Sequence, residues 1–206
     1  TLNEVQTRAH EVVHERHFCE GGSGGTLVVL PCGAGKTVFA VHETCHFGRR
    51  TFVLVHKAVI RDQWKASFER FCPGVRVGVV QGDRWEVGPE YDVVVGMVMT
   101  IAKRAIAPGE FDAFGMVICD EAHHMAAPIM SLALRKFNAV RRLALTATKE
   151  RPDGLTPLLH WSLGEEGFRA ERTSEGVRVS IALCPGATRE IATRDGAARP
   201  LVATML

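Results

Sequence analysis

Two short clusters in this chain carry residue types suited to holding a phosphate and a metal ion. The first is Gly33-Ala34-Gly35-Lys36-Thr37, preceded by Pro31 and Cys32. The second is Asp120-Glu121, two adjacent carboxylates. In the first, glycines let the backbone curl so that successive N–H groups point inward at an anion. A helix starting there adds its own unpaired N–H groups and partial positive charge. Lys36 would then reach the β- and γ-phosphates of a nucleotide, and the Thr37 hydroxyl would ligate Mg²⁺. Two neighbouring carboxylates are costly to hold beside a core unless a cation lies opposite. With Mg²⁺ and a triphosphate supplying that cation and substrate, Asp120 would hold the metal, through water, and Glu121 would orient and deprotonate the attacking water.

The surrounding pattern provides elements that position both clusters. Leu27-Val28-Val29-Leu30 is an apolar, β-rich run that breaks at Pro31, and a helix is predicted after Thr37. Met116-Val117-Ile118-Cys119 is a short continuous apolar run, the signature of a strand buried on both faces. Asp120 and Glu121 therefore fall at the C-terminal end of a core strand, where α/β sheets place ligands. The general phosphate-loop pattern asks for Gly at position 30, where this chain has Leu. Taken alone, the loop could be a glycine turn, and Asp120-Glu121 a solvated helix cap. The two motifs together point to a nucleotide site.

At Asp120-Glu121-Ala122-His123 the sequence resembles the DEAD/DEAH-type helicases and translocases of superfamily 2. Pro31 to Thr37 is close to that family's Pro-Thr-Gly-x-Gly-Lys-Thr loop. Leu143 to Thr148 resembles its coupling motif, a Ser/Thr-Ala-Thr after the next core strand. Lys149-Glu150-Arg151-Pro152-Asp153-Gly154 is similar to the branch containing XPB-type helicases, UvsW-like phage helicases and poxvirus-type helicases. The resemblance spans residues 2–165. It implies an α/β domain of RecA-like, P-loop NTPase type, with three layers and a mostly parallel central sheet. It implies ATP and Mg²⁺ at Gly33, Ala34, Gly35, Lys36, Thr37 and Val38, with Thr37 and Asp120 toward the metal. Gln6 lies at a distance similar to the family's adenine-reading glutamine, although a surface glutamine on a helix is the plainer reading. Val55-His56-Lys57 resembles the motif that touches the nucleic-acid backbone, and Thr100 sits where a second such motif falls. His56, Lys57 and Thr100 are thus candidate nucleic-acid contacts, with a solvated helix start or a helix cap as alternatives. His123, Thr146 and Thr148 would couple the carboxylate site to the nucleic-acid face.

Composition is that of a water-soluble globular chain of 206 residues, 46% hydrophobic and 23% charged. The formal net charge of +2 provides no global field for nucleic acid, so any such surface is local. Six cysteines (Cys19, Cys32, Cys45, Cys72, Cys119, Cys184) form no Cys-x-x-Cys pair. Reduced thiols in an intracellular protein are expected. No run approaches 18 apolar residues and no signal peptide is visible, which predicts a soluble protein without a membrane partner. The start at Thr rather than Met is expected of an excised fragment.

Along the chain, residues 2–18 are predicted as a helix with Leu2, Val5, Ala9, Val12 and Val13 on its apolar stripe. A turn from Glu20 to Gly25 precedes the first strand. Thr51–Val55 reads as a second strand, followed by a helix from Ala58 to Phe71 burying Ile60, Trp64, Phe68 and Phe71. Val75–Val80 and Asp92–Val95 are further strands, Ala127–Phe137 a helix with Pro128 in its first turn, and Arg141–Leu145 a strand. A short helix follows Gly154. Two divisions are expected: a lobe over 1–165 and a β-rich extension over 166–206. That extension holds an exposed strand or hairpin over Phe168–Leu183 and a linker over Pro185–Pro200, leading to a second RecA-like lobe outside this sequence.

One further pattern competes. His42-Glu43-Thr44-Cys45-His46 fits His-Glu-x-x-His, two ligands one helical turn apart with a general base between them. No third ligand follows downstream, and the helix is the one after the phosphate loop. The leading expectation is therefore the ATP-binding lobe of a nucleic-acid-dependent ATPase that drives strand separation or translocation, on DNA rather than RNA. Alone, without an arginine from a second lobe, it would hydrolyse ATP weakly. The alternatives are an ATP-gated nucleic-acid clamp that does not unwind and, more remotely, a zinc hydrolase.

Overall fold

In a computed structural model of the chain, the described residues are 1–20, 24–122, 127–147, 156–171, 190–192 and 198–200. Six helices are assigned: α1 Glu4–Arg16, α2 Lys36–Phe47, α3 Ala58–Phe71, α4 Val98–Lys103, α5 Ala127–Leu134 and α6 Thr156–Leu163. The strands are β1 Gly25–Val29, β2 Thr51–Val55, β3 Val77–Gln81, β4 Arg84–Trp85, β5 Val93–Met97, β6 Met116–Cys119, β7 Arg141–Thr146, β8 Glu166–Arg169, β9 Glu190–Ala192 and β10 Ala198–Pro200. Two compact units divide the chain, Thr1–Arg172 and Thr173–Leu206. In the second, β9 and β10 pair antiparallel, with Arg199 opposite Ile191. Short strand pairing thus occupies part of the expected linker.

The first unit is built on one sheet of order β4-β3-β5-β2-β6-β7-β1-β8. Every neighbouring pair runs parallel except β3 with the two-residue β4. Because successive side chains on a strand point to opposite faces, each central strand contributes to two cores. Leu27, Val29, Phe52 and Leu54 pack with Ile101 of α4, Met130 and Leu134 of α5 and Leu163 of α6. Val28, Leu30, Val53 and Val55 pack with Val13 of α1, Phe39 of α2 and Trp64 and Phe68 of α3. That gives three layers, helix on sheet on helix, which is why the strands read as unbroken apolar runs. Leu30, where the general loop pattern has Gly, is fully buried in the second core, and its N–H donates to Thr146 O.

Four expectations are corrected by tertiary context. On α1 the buried residues are Gln6, Ala9 and Val13, whereas Val5 is exposed. Gln6 takes that inner position because it closes a capping box with Asn3 and bonds to the loop beyond the helix. Phe71, the last residue of α3, is exposed because the inward position one turn after Phe68 falls to the C-cap Cys72, which packs against the second core. Thr100 caps nothing: Met97 holds the N-cap of α4, and the Thr100 hydroxyl accepts from Gly82 N–H at 3.3 Å. Finally, β8 belongs to the main sheet rather than to an extension starting at 166, since Val28 and Val29 pair with Phe168 and Arg169. A parallel edge strand on β1 shields one side of the strand that carries the loop. Most of the expected 168–183 hairpin lies outside the described residues.

Candidate nucleotide site at the C-terminal edge of the sheet

All the parallel strands end on one edge, so β1, β2, β5, β6 and β7 deliver their following residues to the same side of the molecule. β1 runs into the glycine loop. Gly33 and Gly35 both adopt left-handed backbone, at φ 83 and φ 78. At Gly35 a side chain is excluded twice over: its φ disfavours one, and a Cβ would lie 2.4 Å from Gln6 Nε2. Gly35 is the N-cap of α2 and supplies no side-chain hydrogen bond to the helix start. The first N–H groups of α2 thus keep their capacity to bind an anion.

Lys36 and Glu121 meet across this edge, with Lys36 Nζ 3.3 Å from Glu121 Oε1 and both side chains largely buried. Between their parent strands runs β7, so the pair bridges over the end of a third strand. Glu121 has φ 48, the one non-glycine residue with positive φ among those described. Such backbone is uncommon for a side chain of this size and concentrates at functional positions. Asp120 is 6% exposed. Its Oδ2 accepts from Trp64 Nε1 at 2.6 Å and its Oδ1 from the Glu121 N–H at 2.9 Å. Burial pushes the Asp120 carboxyl above its ordinary range, and the Trp64 bond only partly offsets this. The carboxylate is thus held in place but under-compensated, as suits a group that receives a cation.

A cleft of about 440 Å³ joins these parts, lined by Cys32, Gly33, Gly35, Lys36, Thr37, Ile60, Gln63, Asp120 and Glu121. The donor set fits a magnesium-bound triphosphate: glycine backbone and a lysine for the phosphates, a hydroxyl and a carboxylate for the metal. Ala34 and Val38 flank the loop and are half-buried. Gln6 Nε2 donates to the carbonyls of Ala34 and Gly35, both at 3.1 Å, and its Oε1 accepts from Asn3 N–H at 3.0 Å. The amide of Gln6 therefore braces the phosphate loop from behind.

Thr146 closes β7 and is 2% exposed, between the strands that carry the loop and the carboxylates. His56 and Lys57 follow β2, with Lys57 exposed at the N-cap of α3. Thr100 lies beyond β5 in a shallow groove with Gly82, Asp83, Met99, Lys103 and Arg104. His123, Thr148 and the Arg151–Gly154 segment lie outside the described residues. Sequence reasoning missed Gln63 as a wall of the cleft and missed that Trp64 holds Asp120. Its only available signal was that a buried tryptophan needs an acceptor for its N–H; the acceptor lies 56 residues away.

Over residues 1–151 the chain matches the family described as type III restriction enzyme, res subunit. The chain belongs to this family. Its fold and motifs make it a first RecA-like lobe of superfamily 2 helicase type, close to the XPB and UvsW branch. It is 37% identical to "Putative ATP-dependent RNA helicase L396" of Acanthamoeba polyphaga mimivirus, over 70% of this chain and 27% of that protein. It is 34% identical to "DNA 3'-5' helicase XPB" of Mycobacterium tuberculosis, over 72% of this chain and 28% of that protein. The crystal structure of the UvsW helicase from bacteriophage T4 superposes with a TM-score of 0.64 at 18% identity, covering 81% of this chain and 59% of that one. The chain thus spans about a quarter of the length of the curated relatives it matches. Among the described residues no helix is long and apolar enough to cross a membrane.

Proposed function

We propose that the chain is the ATP-binding lobe of a nucleic-acid-dependent ATPase that couples hydrolysis to strand separation or translocation, on DNA in preference to RNA. The observation that carries this reading is the convergence of Lys36, Asp120 and Glu121 on one cleft beneath an uncapped glycine loop. Lys36 neutralises the β- and γ-phosphates, as the loop and helix N–H groups hold them. Thr37 and Asp120 would hold Mg²⁺, which would supply positive charge to offset the phosphate oxygens. Glu121, positioned by its left-handed backbone, orients the attacking water and takes its proton. In the form shown, Lys36 and Glu121 neutralise each other; phosphate binding would draw Lys36 away and leave Glu121 as a base.

Thr146, on the strand separating loop and carboxylates, is the described residue best placed to feel both, with His123 and Thr148 as proposed partners. His56, Lys57 and Thr100 share the same sheet edge and are the proposed nucleic-acid contacts. The names of relatives divide between DNA and RNA; the preference for DNA rests on the Arg151–Gly154 resemblance. A second RecA-like lobe would supply the arginine that this site lacks among the described residues, so hydrolysis by this chain alone is expected to be slow.

The test is a titration of Mg-ATP and Mg-ADP into the 206-residue chain and its Lys36→Ala variant. Binding that collapses in the variant supports the site; equal binding by both sinks it. In the longer protein, nucleic-acid-stimulated turnover without duplex unwinding would favour the clamp over the helicase.

A further inference from the structure

About two helical turns beyond Lys36, some 10 Å along α2, the seam between α1 and α2 gathers a second polar cluster. His10 and His14 lie one turn apart on α1, and His42 and His46 one turn apart on α2. Their rings are close: centroids are 4.3 Å apart for His10 and His14, 4.8 Å for His10 and His46, 4.7 Å for His14 and His46, and 5.0 Å for His10 and His42. Beneath them is Glu43, with a side chain 1% exposed. Its Oε1 is 2.7 Å from His10 Nδ1 and its Oε2 is 2.8 Å from His14 Nε2, with His42 Nδ1 at 3.4 Å. His10, His14 and His46 each offer a ligand atom, all within 4.8 Å of one another; so do His10, His42 and Glu43.

Four imidazoles around a sealed carboxylate are poorly suited to simple helix packing, which apolar residues would accomplish at lower cost. They are well suited to a borderline divalent cation. We propose that this seam binds one divalent transition-metal ion, Zn²⁺ by ligand type, through His10, His14 and His46, with Glu43 as the countercharge. Three imidazoles and a carboxylate are a zinc donor set, and bonds of about 2.0–2.1 Å to nitrogen in a tetrahedron bring donors to roughly 3.4 Å. The ligand atoms lie within 4.8 Å of one another, so rotation of the imidazoles would have to bring them up to about 1.4 Å closer. His10 and His14 are about a quarter exposed, giving the ion a path from solvent.

The site differs from the one His-Glu-x-x-His suggests. In a hydrolase Glu43 would face an open metal position and act as base. Here it is buried and bonded to histidines, and the remaining ligands come from α1. The ion's role is therefore structural: it clasps α1, whose Gln6 braces the phosphate loop, to α2, which begins at that loop.

An untagged chain would be stripped with chelator, desalted, and titrated with Zn²⁺ and with Co²⁺ as a spectroscopic probe. The expected result is one ion per chain, a tetrahedral Co²⁺ ligand-field spectrum, and a denaturation midpoint about 5–10 °C higher at hundredfold excess over Kd. His14→Gln and His46→Gln should each weaken binding by about 100-fold, with circular dichroism confirming that both fold. Cys45→Ser/Cys72→Ser, removing two thiols 2.6 Å apart of which Cys45 adjoins His46, should leave uptake unchanged, as should Lys36→Ala. The proposal is overturned if the stripped chain takes up no stoichiometric ion, if both histidine variants bind normally, or if binding vanishes with the cysteines instead.

Discussion

Asp120 and Glu43 are both carboxylates removed from water, 6% and 1% exposed, and the chain handles them in opposite ways. Asp120 stands at a strand end facing a cleft, with a tryptophan N–H and a backbone N–H as donors. Those donors fix its orientation without cancelling its charge, and burial raises its proton affinity. Glu43 lies inside a helix seam with two histidines in short contact and a third within reach. Burial of a charge is expensive in either place. The difference is access: the cleft leaves room for an incoming cation and phosphate, whereas the seam surrounds its carboxylate with ligands already in place. The roles proposed for them differ accordingly, turnover in the cleft and fastening in the seam.

The largest expected effect that tests this contrast is in the cleft. Lys36→Ala should weaken Mg-ATP binding by about 30-fold or more, since a buried charged partner is lost, while the thermal midpoint without nucleotide falls only by the cost of leaving Glu121 without its cation. A lower midpoint with Mg-ATP affinity retained would make the cleft a structural centre after all. Glu43→Ala should show the reverse pattern. Removing the acceptor of two histidines should cost about 1–3 kcal/mol of stability in denaturant titration, with Mg-ATP affinity retained; a variant as stable as wild type would break the comparison.

Trp64→Phe sharpens it, because the ring packing survives while the N–H to Asp120 is lost. A stability cost of about 1–3 kcal/mol should come with weaker Mg-ATP binding, so that both readouts move. An unchanged Mg²⁺ dependence would argue against Asp120 as the metal-side carboxylate. The smallest effect is expected for Gln6→Ala, about 3–10-fold in nucleotide affinity from the loss of neutral hydrogen bonds to the loop. Loss of that bracing would weaken ATP and GTP binding alike. A loss confined to ATP would mean that Gln6 reads the base.

Much of the fold was legible because the strands are buried on both faces. Thr51–Val55 and Met116–Cys119 read as apolar runs and Arg141–Leu145 as the strand before Thr146, and they emerge as β2, β6 and most of β7. The glycine loop and Asp120-Glu121 were legible for a related reason: their chemistry needs a fixed local order of residue types, and local order is written in sequence. Where expectation failed at Val5 and Glu166–Arg169, the deciding contact came from another element. An outward-facing valine beside an inward-facing glutamine makes no sense on α1 alone; it does once the phosphate loop sits against Gln6.

The histidine cluster shows the limit most clearly. Local residue order was enough to specify a phosphate loop, a carboxylate pair at a strand end and one helical turn with two histidines, because each is set by neighbours within a few residues. It took the packing of sheet and helices to bring Trp64 onto Asp120, Lys36 to Glu121 across β7, and His10 and His14 over Glu43. Those pairings join residues 29 to 85 positions apart. Periodicity along one element carries no information about which face of a distant element it will meet; that is settled when the two apolar cores form and bring the polar remainders together.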